Sequence, residues 1–366
     1  MNVLHVVENF GGAGLENVVK DLAIGSLDTI VKPYVCVLNR QGVCGEKAKN
    51  AGIQVFELKK KLLGKKDSEV IYSLKQIVKK LNIDLIHVHN FTPLYYVLKA
   101  FYFSNIKIIV TFHGFIDWTA KKWFFFNIAF PRIKIVVVNE KMKPTYSFLG
   151  LFFRNRIKTI INGIRLDRFR KNKGGDLRRS LGIEESTFLI GSIGRLSPVK
   201  NQILQIKTLH KLKQKIADVK LLLITGHSPD SCDLKKQLLK QADELGVKDS
   251  LVLLDFRQDV PELLSIMDVF LSTSLTEGTS LVLLEAMAVG LPLIASDVGG
   301  NSKIIENGKN GFLFNLIDEK EIVLLMEKLN MDPFLRKNIG GNALKSSQNY
   351  STENMCSKYL ELYNSE

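Results

Sequence analysis

Short apolar runs alternate with amphipathic stretches along this sequence, and the alternation begins twice. That restricts the chain to a small set of α/β architectures. The run VLHVV ends in the break Asn9-Phe10-Gly11-Gly12-Ala13-Gly14, and Leu15–Ile24 follows with Val18, Val19, Leu22 and Ala23 at helical spacing. Runs at Tyr34–Leu38, Leu85–Val88, Lys107–Phe112 and Ile133–Val138 predict further strands, with a helix over Val70–Leu81 between them. After a polar stretch containing Gly174-Gly175 the pattern restarts. Strands are expected at Phe188–Ile193, Lys220–Thr225, Leu251–Leu254, Val269–Ser272 and Leu293–Ala295, and helices at Gln202–Gln214, Leu234–Leu245, Val260–Ile266 and Leu281–Val289. Such alternation implies parallel sheets covered on both faces. We therefore expect an α/β fold of two doubly wound domains, residues 1–170 and 186–366, with a linker at 171–185. Ligands bind at the carboxyl ends of such strands, so a central cleft between the domains is expected to hold the site. Sequence alone does not assign the helical residues Glu353–Tyr363 to either domain.

Composition removes several classes of protein. A chain of 366 residues, 46% hydrophobic and 24% charged, is neither disordered nor collagenous. Cys36, Cys44, Cys232 and Cys356 are scattered without CxxC spacing, which predicts reduced thiols and no zinc site. The start, MNVLHVVENF, lacks a basic segment ahead of a long apolar one, so a cytoplasmic protein is expected. Two stretches come nearest to a membrane span. His87, His89, Pro93 and Lys99 interrupt one, and Glu285, Gly290 and Pro292 the other. Charge is distributed unevenly: residues 1–168 carry 26 Lys and Arg against 12 Asp and Glu, whereas the remainder holds 25 of each. A basic half favours anionic partners such as lipid headgroups, phosphorylated substrates or nucleic acid, although a merely solvated face has the same composition. The clusters Lys59-Lys60-Lys61, Lys65-Lys66 and Lys121-Lys122 read as surface attachments.

Four constellations could carry chemistry. In Glu277-Gly278-Thr279-Ser280-Leu281-Val282-Leu283-Leu284-Glu285, two carboxylates lie eight apart, one in a loop and one in a helix that Thr279 or Ser280 could cap. Glu285 is the only ionisable residue between Gly278 and Ser296, so it needs hydrogen-bond donors such as sugar or ribose hydroxyls. Amides around Thr279–Leu281 would suit a phosphate. In Gly194-Arg195-Leu196-Ser197-Pro198-Val199-Lys200-Asn201, two cations on a strand-to-helix loop could grip a diphosphate. Taken alone, an ordinary basic loop describes this segment better. The glycines at 11, 12 and 14 would let amides approach a phosphate, but the third glycine of GxGxxG is missing and a tight turn explains them equally. His113 follows a strand and could reach a sugar hydroxyl, or simply close a loop. His87 and His89 share one face of their strand and read as structural. There is no GxxxxGK[ST] and no Asp-x-Asp, which argues against a P-loop and against a metal clamped by that motif.

Together GGAG near the start, HG at 113–114, NGIRLDRF at 162–169, GRLSPVKN at 194–201 and EGTSLVLLEAMAVGLPLIASDVGG at 277–300 resemble the retaining GT-B glycosyltransferases of glycosyltransferase family 4. The resemblance covers nearly the whole chain in the family's order. It implies two Rossmann-like domains, an acceptor side followed by a donor side, and metal-independent hexosyl transfer from a nucleoside diphosphate sugar with retained configuration. It implies that Arg195 and Lys200 hold the diphosphate, that Glu285 binds the ribose hydroxyls, and that Glu277 contacts the transferred sugar. The amides of Gly278, Thr279, Ser280 and Leu281 would face sugar and phosphate, Gly11 and Gly12 would approach the phosphate, and His113 would touch the sugar. Arg165 and Asp255 depart from the family's usual Asp and Gly. No cofactor is expected beyond the sugar nucleotide, for which a UDP-sugar is favoured.

The basic half then acquires a use. Lys121-Lys122-Trp123-Phe124-Phe125-Phe126, followed by Pro131-Arg132, sets aromatics beside cations as interfacial segments do. A buried aromatic helix with lysines at its mouth would look the same. We expect peripheral binding to the anionic inner face of the cell membrane and a saccharide acceptor, lipid-linked, as in surface polysaccharide assembly. A sugar-nucleotide epimerase of the same fold is the alternative. A nucleic-acid partner is not expected, because it would leave the neutral half and its carboxylate pair unexplained.

Overall fold

The computed structural model describes residues 1–60, 62–64, 66–114, 133–144, 157–169, 176–226 and 231–365. Lys61, Lys65, the segment Lys121–Phe126 and Pro131-Arg132 lie outside them. Every strand expected from an apolar run is present, and all pairing is parallel. The first sheet contains β1 (Asn2–Val7), β2 (Lys32–Val37), β3 (Gln54–Glu57), β4 (Leu85–His89), β5 (Lys107–Phe112), β6 (Ile133–Val137) and β7 (Ile157–Thr159), in the order β3-β2-β1-β4-β5-β6-β7. The second contains β8 (Phe188–Arg195), β9 (Val219–Gly226), β10 (Leu251–Leu254), β11 (Val269–Ser272), β12 (Leu293–Ser296) and β13 (Gly311–Phe314), in the order β10-β9-β8-β11-β12-β13. In each sheet the winding reverses once, between β1 and β4 and between β8 and β11. The carboxyl ends of those strands are where such sheets take ligands.

Helices α1 (Gly14–Gly25), α2 (Val43–Asn50), α3 (Asp67–Leu81) and α4 (Phe91–Phe101) cover the first sheet. Alternation along the strands divides its core. Leu4, Val6, Ile86, Val88, Val110 and Phe112 pack with Leu74, Leu94 and Val97 of α3 and α4. Val7, Val35 and Val37 pack on the other face with Val19 and Ala23 of α1. His5 lies between Leu4 and Val6, so it belongs to this second face. Registers His5↔His87 and His89↔Thr111 put His87, His89 and Thr111 there too.

The chain divides at other points than those expected. One compact unit comprises Met1–Ile164 with Ser351–Glu366, and the other comprises Arg165–Tyr350. Residues 176–185 are no slack linker. Leu177–Ser180 forms a short helix, α5, and Arg178 donates to the carbonyl of Ile266 (2.8 and 3.0 Å) and to Asp268 (2.8 Å), which fastens it to the second sheet. The second unit continues with α6 (Gln202–Lys213), α7 (Ser231–Glu244), α8 (Val260–Ser265), α9 (Leu281–Ala288), α10 (Asn301–Ile304), α11 (Glu319–Met331) and α12 (Pro333–Ser347).

The last helix, α13 (Thr352–Asn364), belongs to the first unit for specific reasons. The Thr352 amide donates to Ile164 O at 2.9 Å, and a side chain at Gly163 would come within 2.3 Å of Ser351 O. Its buried Tyr359 and Tyr363 place hydroxyls on Thr111 Oγ1 (3.0 Å) and His87 Nδ1 (2.6 Å). Those tyrosines supply the partners that a polar patch inside an apolar core requires. All four cysteines are free. Burial pushes the Cys36 and Cys356 thiols up to about 12, far from reactive.

Candidate active site

In the second unit the expected residues converge on the loops after β8 and β11. A 3₁₀ turn, Pro198–Lys200, follows β8, and Asn201 then adopts the left-handed region (φ +50°) before α6 begins. Asparagine tolerates that conformation better than most residues. The turn carries Lys200 to Glu277, whose Oε1 lies 2.6 Å from Nζ. Ser274 Oγ donates to the same oxygen at 2.6 Å. The lysine side chain is 26% exposed and the carboxylate 10%, so the pair is shielded from bulk water on most sides. Arg195 ends β8 with its side chain exposed. Its guanidinium has no hydrogen bond or ion pair among the described residues, so a fork of donors is available there for an anion.

Glu277 is held through its backbone as well. Its carbonyl accepts from the Gly300 amide at 3.2 Å, and a Cβ on Gly299 would sit 1.7 Å from that same oxygen. Gly299 also has φ +51°, so glycine is required on both counts. Gly278 and Thr279 lead into α9, where Ser280 takes the N-cap position and Leu281 the first helical one. Of the two capping candidates, the Ser280 side chain makes no hydrogen bond to the helix, which leaves the first-turn amides uncapped by it. Glu285 is half-buried in the next turn of α9.

Sequence reasoning missed the frame behind these groups. Buried Gln205 donates to Ser192 Oγ (2.9 Å) and Thr273 Oγ1 (3.0 Å), and Thr273 Oγ1 reaches the carbonyls of Lys200 (3.0 Å) and Asn201 (2.9 Å). The Leu275 amide donates to Val199 O at 2.7 Å, Ser296 Oγ donates to Ser274 O at 2.6 Å, and Asn301 Nδ2 donates to Ser296 O at 3.0 Å. The signal was a glutamine on the apolar side of α6 and a Thr-Ser pair at the end of a buried strand. Buried polar groups at strand ends mark loops that must be held in place.

The first unit treats its candidates differently. The Gly12 and Ala13 amides donate to the Glu16 carboxylate at 2.5 and 2.9 Å. Gly11 packs backbone to backbone against Gly42, where a Cβ would lie 2.8 Å from Gly11 Cα. A phosphate approaching Gly12 would therefore have to displace an existing carboxylate, and the close approach that glycine allows is used inwards. In this structure the loop is closed on itself by these contacts. His113 follows β5 on the face of Thr111 and His89. Its amide donates to Asn90 Oδ1 at 3.0 Å, and its Nε2 lies 3.2 Å from His89 Nδ1. Burial lowers its pKa to about 3, so the ring is neutral. His5, His87 and His89 are buried as well, and their potential ligand nitrogens lie within 4.8 Å of one another.

Comparison with known proteins gives a consistent result. The family model for group 1 glycosyl transferases matches residues 175–346, and that for glycosyltransferase family 4 matches residues 12–168. An *Escherichia coli* protein named UDP-Gal:alpha-D-GlcNAc-diphosphoundecaprenol alpha-1,3-galactosyltransferase is 27% identical over 74% of this chain and 72% of its own. The N-acetyl-alpha-D-glucosaminyl L-malate synthase of *Bacillus anthracis* is 28% identical over 81% of this chain and 78% of its own. Among solved structures, Anabaena HepE in complex with UDP and glucose superposes over the full length of both chains with a TM-score of 0.88 at 22% identity, a likeness of fold.

Proposed function

Since the chain belongs to the GT-B glycosyltransferases of group 1 and family 4, we propose that it moves a hexosyl group from a UDP-sugar to a lipid-linked saccharide, retaining configuration and using no divalent metal. The observation that carries this reading is the cationic pair after β8: exposed Arg195 and Lys200, the latter 2.6 Å from Glu277. Arg195 and Lys200 take the charge of the departing diphosphate, which is the work a metal does in other transferases. Glu277 accepts from hydroxyls of the transferred sugar, and its contact with Lys200 ties sugar and leaving group to one frame. Glu285 accepts from the ribose hydroxyls, while the amides from Gly278 to Leu281 face sugar and phosphate. His113 offers a ring nitrogen to a saccharide oxygen. In the step itself an acceptor hydroxyl attacks the anomeric carbon on the face that the diphosphate leaves. The bond from that carbon to the phosphate oxygen breaks with its electron pair staying on the phosphate, and the acceptor's proton passes to that oxygen.

The diphosphoundecaprenol substrate in the *E. coli* relative's name supports a lipid-linked acceptor and surface polysaccharide assembly. No helix among the described residues is long and apolar enough to cross a membrane. On the basic first unit Leu62 (77%), Leu63 (60%) and Phe103 (94%) are exposed, which supports attachment to an anionic bilayer. A panel of sugar nucleotides, read by thermal stabilisation and by product formation with and without acceptor, tests the proposal. One donor should stabilise the wild type, and Lys200→Ala and Glu285→Ala should each abolish the shift. An unchanged shift in both variants, turnover that needs magnesium or manganese, or a converted donor with no acceptor present would overturn the reading.

A further inference from the structure

Two donors converge on a single oxygen of Glu277. Lys200 Nζ and Ser274 Oγ each lie 2.6 Å from Oε1. Oε2 takes no hydrogen bond or ion pair among the described residues, and it is not among the polar atoms sealed from solvent without a partner. The aim of the serine is set by its backbone. One peptide plane joins Ser274 to Leu275, and both of its polar atoms are held. Its carbonyl accepts from buried Ser296 Oγ at 2.6 Å, and its amide donates to Val199 O at 2.7 Å. Asn301 Nδ2 in turn donates to Ser296 O at 3.0 Å. Ser274, 2% exposed, therefore has little freedom to turn, and its one hydroxyl hydrogen goes to a carboxylate that can only accept.

We propose that Ser274 is a positioning residue that reserves Glu277 Oε2 for the transferred sugar, and so makes a hydroxyl or N–H on that sugar a condition of tight binding. A carboxylate bonded to an ammonium alone is poorly oriented. Its terminal torsion is broad and two-fold, and a lysine on its flexible stem can follow either oxygen. A second donor on a rigid mount, aimed at the same oxygen, fixes the carboxylate plane and with it the direction of Oε2. As the partner of a lysine, the carboxylate has no hydrogen to give, so Oε2 takes only donors. A sugar with a free hydroxyl or an acetamido N–H at that point is accepted, and one with a deoxy or O-alkylated position there is not. Lys200 spends one of its three hydrogens on Oε1 and keeps the others for a phosphate, so sugar and leaving group do not compete for the same atoms. The inference rests on the glycosyl-transfer reading, because it takes the group facing Oε2 from the sugar.

The test is calorimetric binding to the full chain of UDP, of UDP-glucose, UDP-galactose and UDP-N-acetylglucosamine, and of monodeoxy analogues of whichever sugar nucleotide binds best. One analogue should bind the wild type roughly tenfold more weakly than its parent, the worth of a hydrogen bond to a charged acceptor. In Ser274→Ala the parent sugar nucleotide should bind about fivefold more weakly while UDP stays within about twofold, and the penalty for that analogue should shrink to about twofold. A general loosening of the site would instead weaken UDP and every sugar nucleotide alike and leave the penalty intact. Should Ser274→Ala fail to fold, Ser274→Cys keeps the volume with a weak donor and should shift the pattern the same way. Equal weakening of UDP and of the sugar nucleotide in the variant overturns the proposal. So does an analogue penalty that the variant leaves unchanged, or a wild type that binds every monodeoxy analogue as tightly as its parent. A wild type that binds none of the sugar nucleotides would refute the glycosyl-transfer reading and this inference with it, whereas a wild type that binds one, with Ser274→Ala unaltered, refutes this inference alone.

Discussion

Acidification should loosen the first unit well before its carboxylates titrate. His5, His87 and His89 are sealed in the core, at 0–2% exposure, and burial pushes their folded pKa values far below the 6.5 of an unfolded histidine, to about 3 for His5. Groups with depressed folded pKa values contribute stability that is complete above the unfolded pKa and is lost as pH falls towards the folded one. At pH 5.5 an unfolded ring is about nine-tenths protonated while the folded ring is not, which costs about 1.4 kcal/mol per histidine relative to pH 7.5. His113 in the same unit is lowered to about 3 as well, and the unfolded rings titrate independently, so the four together cost about 5–6 kcal/mol, much of a typical domain's stability. With a urea dependence of about 2 kcal/mol per molar, the midpoint should drop by about 3 M between pH 7.5 and 5.5. Urea unfolding at the two pH values checks this, with the transition assigned to the first unit by hydrogen exchange of β1 and β4 amides. His5→Leu should remove about a quarter of the pH dependence. A midpoint that does not move, or a pH dependence unchanged by His5→Leu, would refute the claim that these rings are buried neutral.

Two substitutions probe the frames behind the chemistry. Gly299→Ala places a methyl group against the Glu277 carbonyl at φ +51°, which costs about 1–3 kcal/mol locally; donor affinity should fall while circular dichroism of the fold is retained. Unaltered donor affinity would show that Glu277 is positioned by other means. Tyr363→Phe leaves buried His87 Nδ1 without its 2.6 Å partner and should destabilise the first unit by about 1–3 kcal/mol, read by urea unfolding, without altering donor affinity.

The sequence made the architecture legible because β-branched runs in a parallel sheet are apolar on both faces and therefore stand out. The runs at Phe188–Ile193 and Lys107–Phe112 are of this kind. Strands β3 (QVFE) and β7 (IKT) escaped notice because edge strands of three or four residues bury too little to leave a pattern. That Lys200 and Glu277 meet was foreshadowed by family resemblance and not by spacing, because the two lie on separate loops 77 residues apart. Gln205 and Thr273 were not legible, because a buried polar side chain reads as a blemish in an apolar pattern until its partners are seen. Gly11 illustrates the ambiguity of glycine: it signals close approach without naming what approaches, and the structure adds that Gly42 packs on it. His5 was invisible for a third reason. Its meaning depends on β4 lying beside β1, some eighty residues along the chain.

The return of the C-terminal helix to the first unit also sets an order of events during synthesis. By the time β7 leaves the ribosome, all seven strands of the first sheet exist, but Tyr359 and Tyr363 are still about two hundred residues from being made. Until then the polar patch of His87 and Thr111 has no tyrosine hydroxyls to satisfy it. The second unit is thus translated as an insert while its host waits unfinished. Because Gly163 and Ser351 touch, excising Arg165–Tyr350 would leave two ends already adjacent, and a short turn between them would let the first unit close without its neighbour.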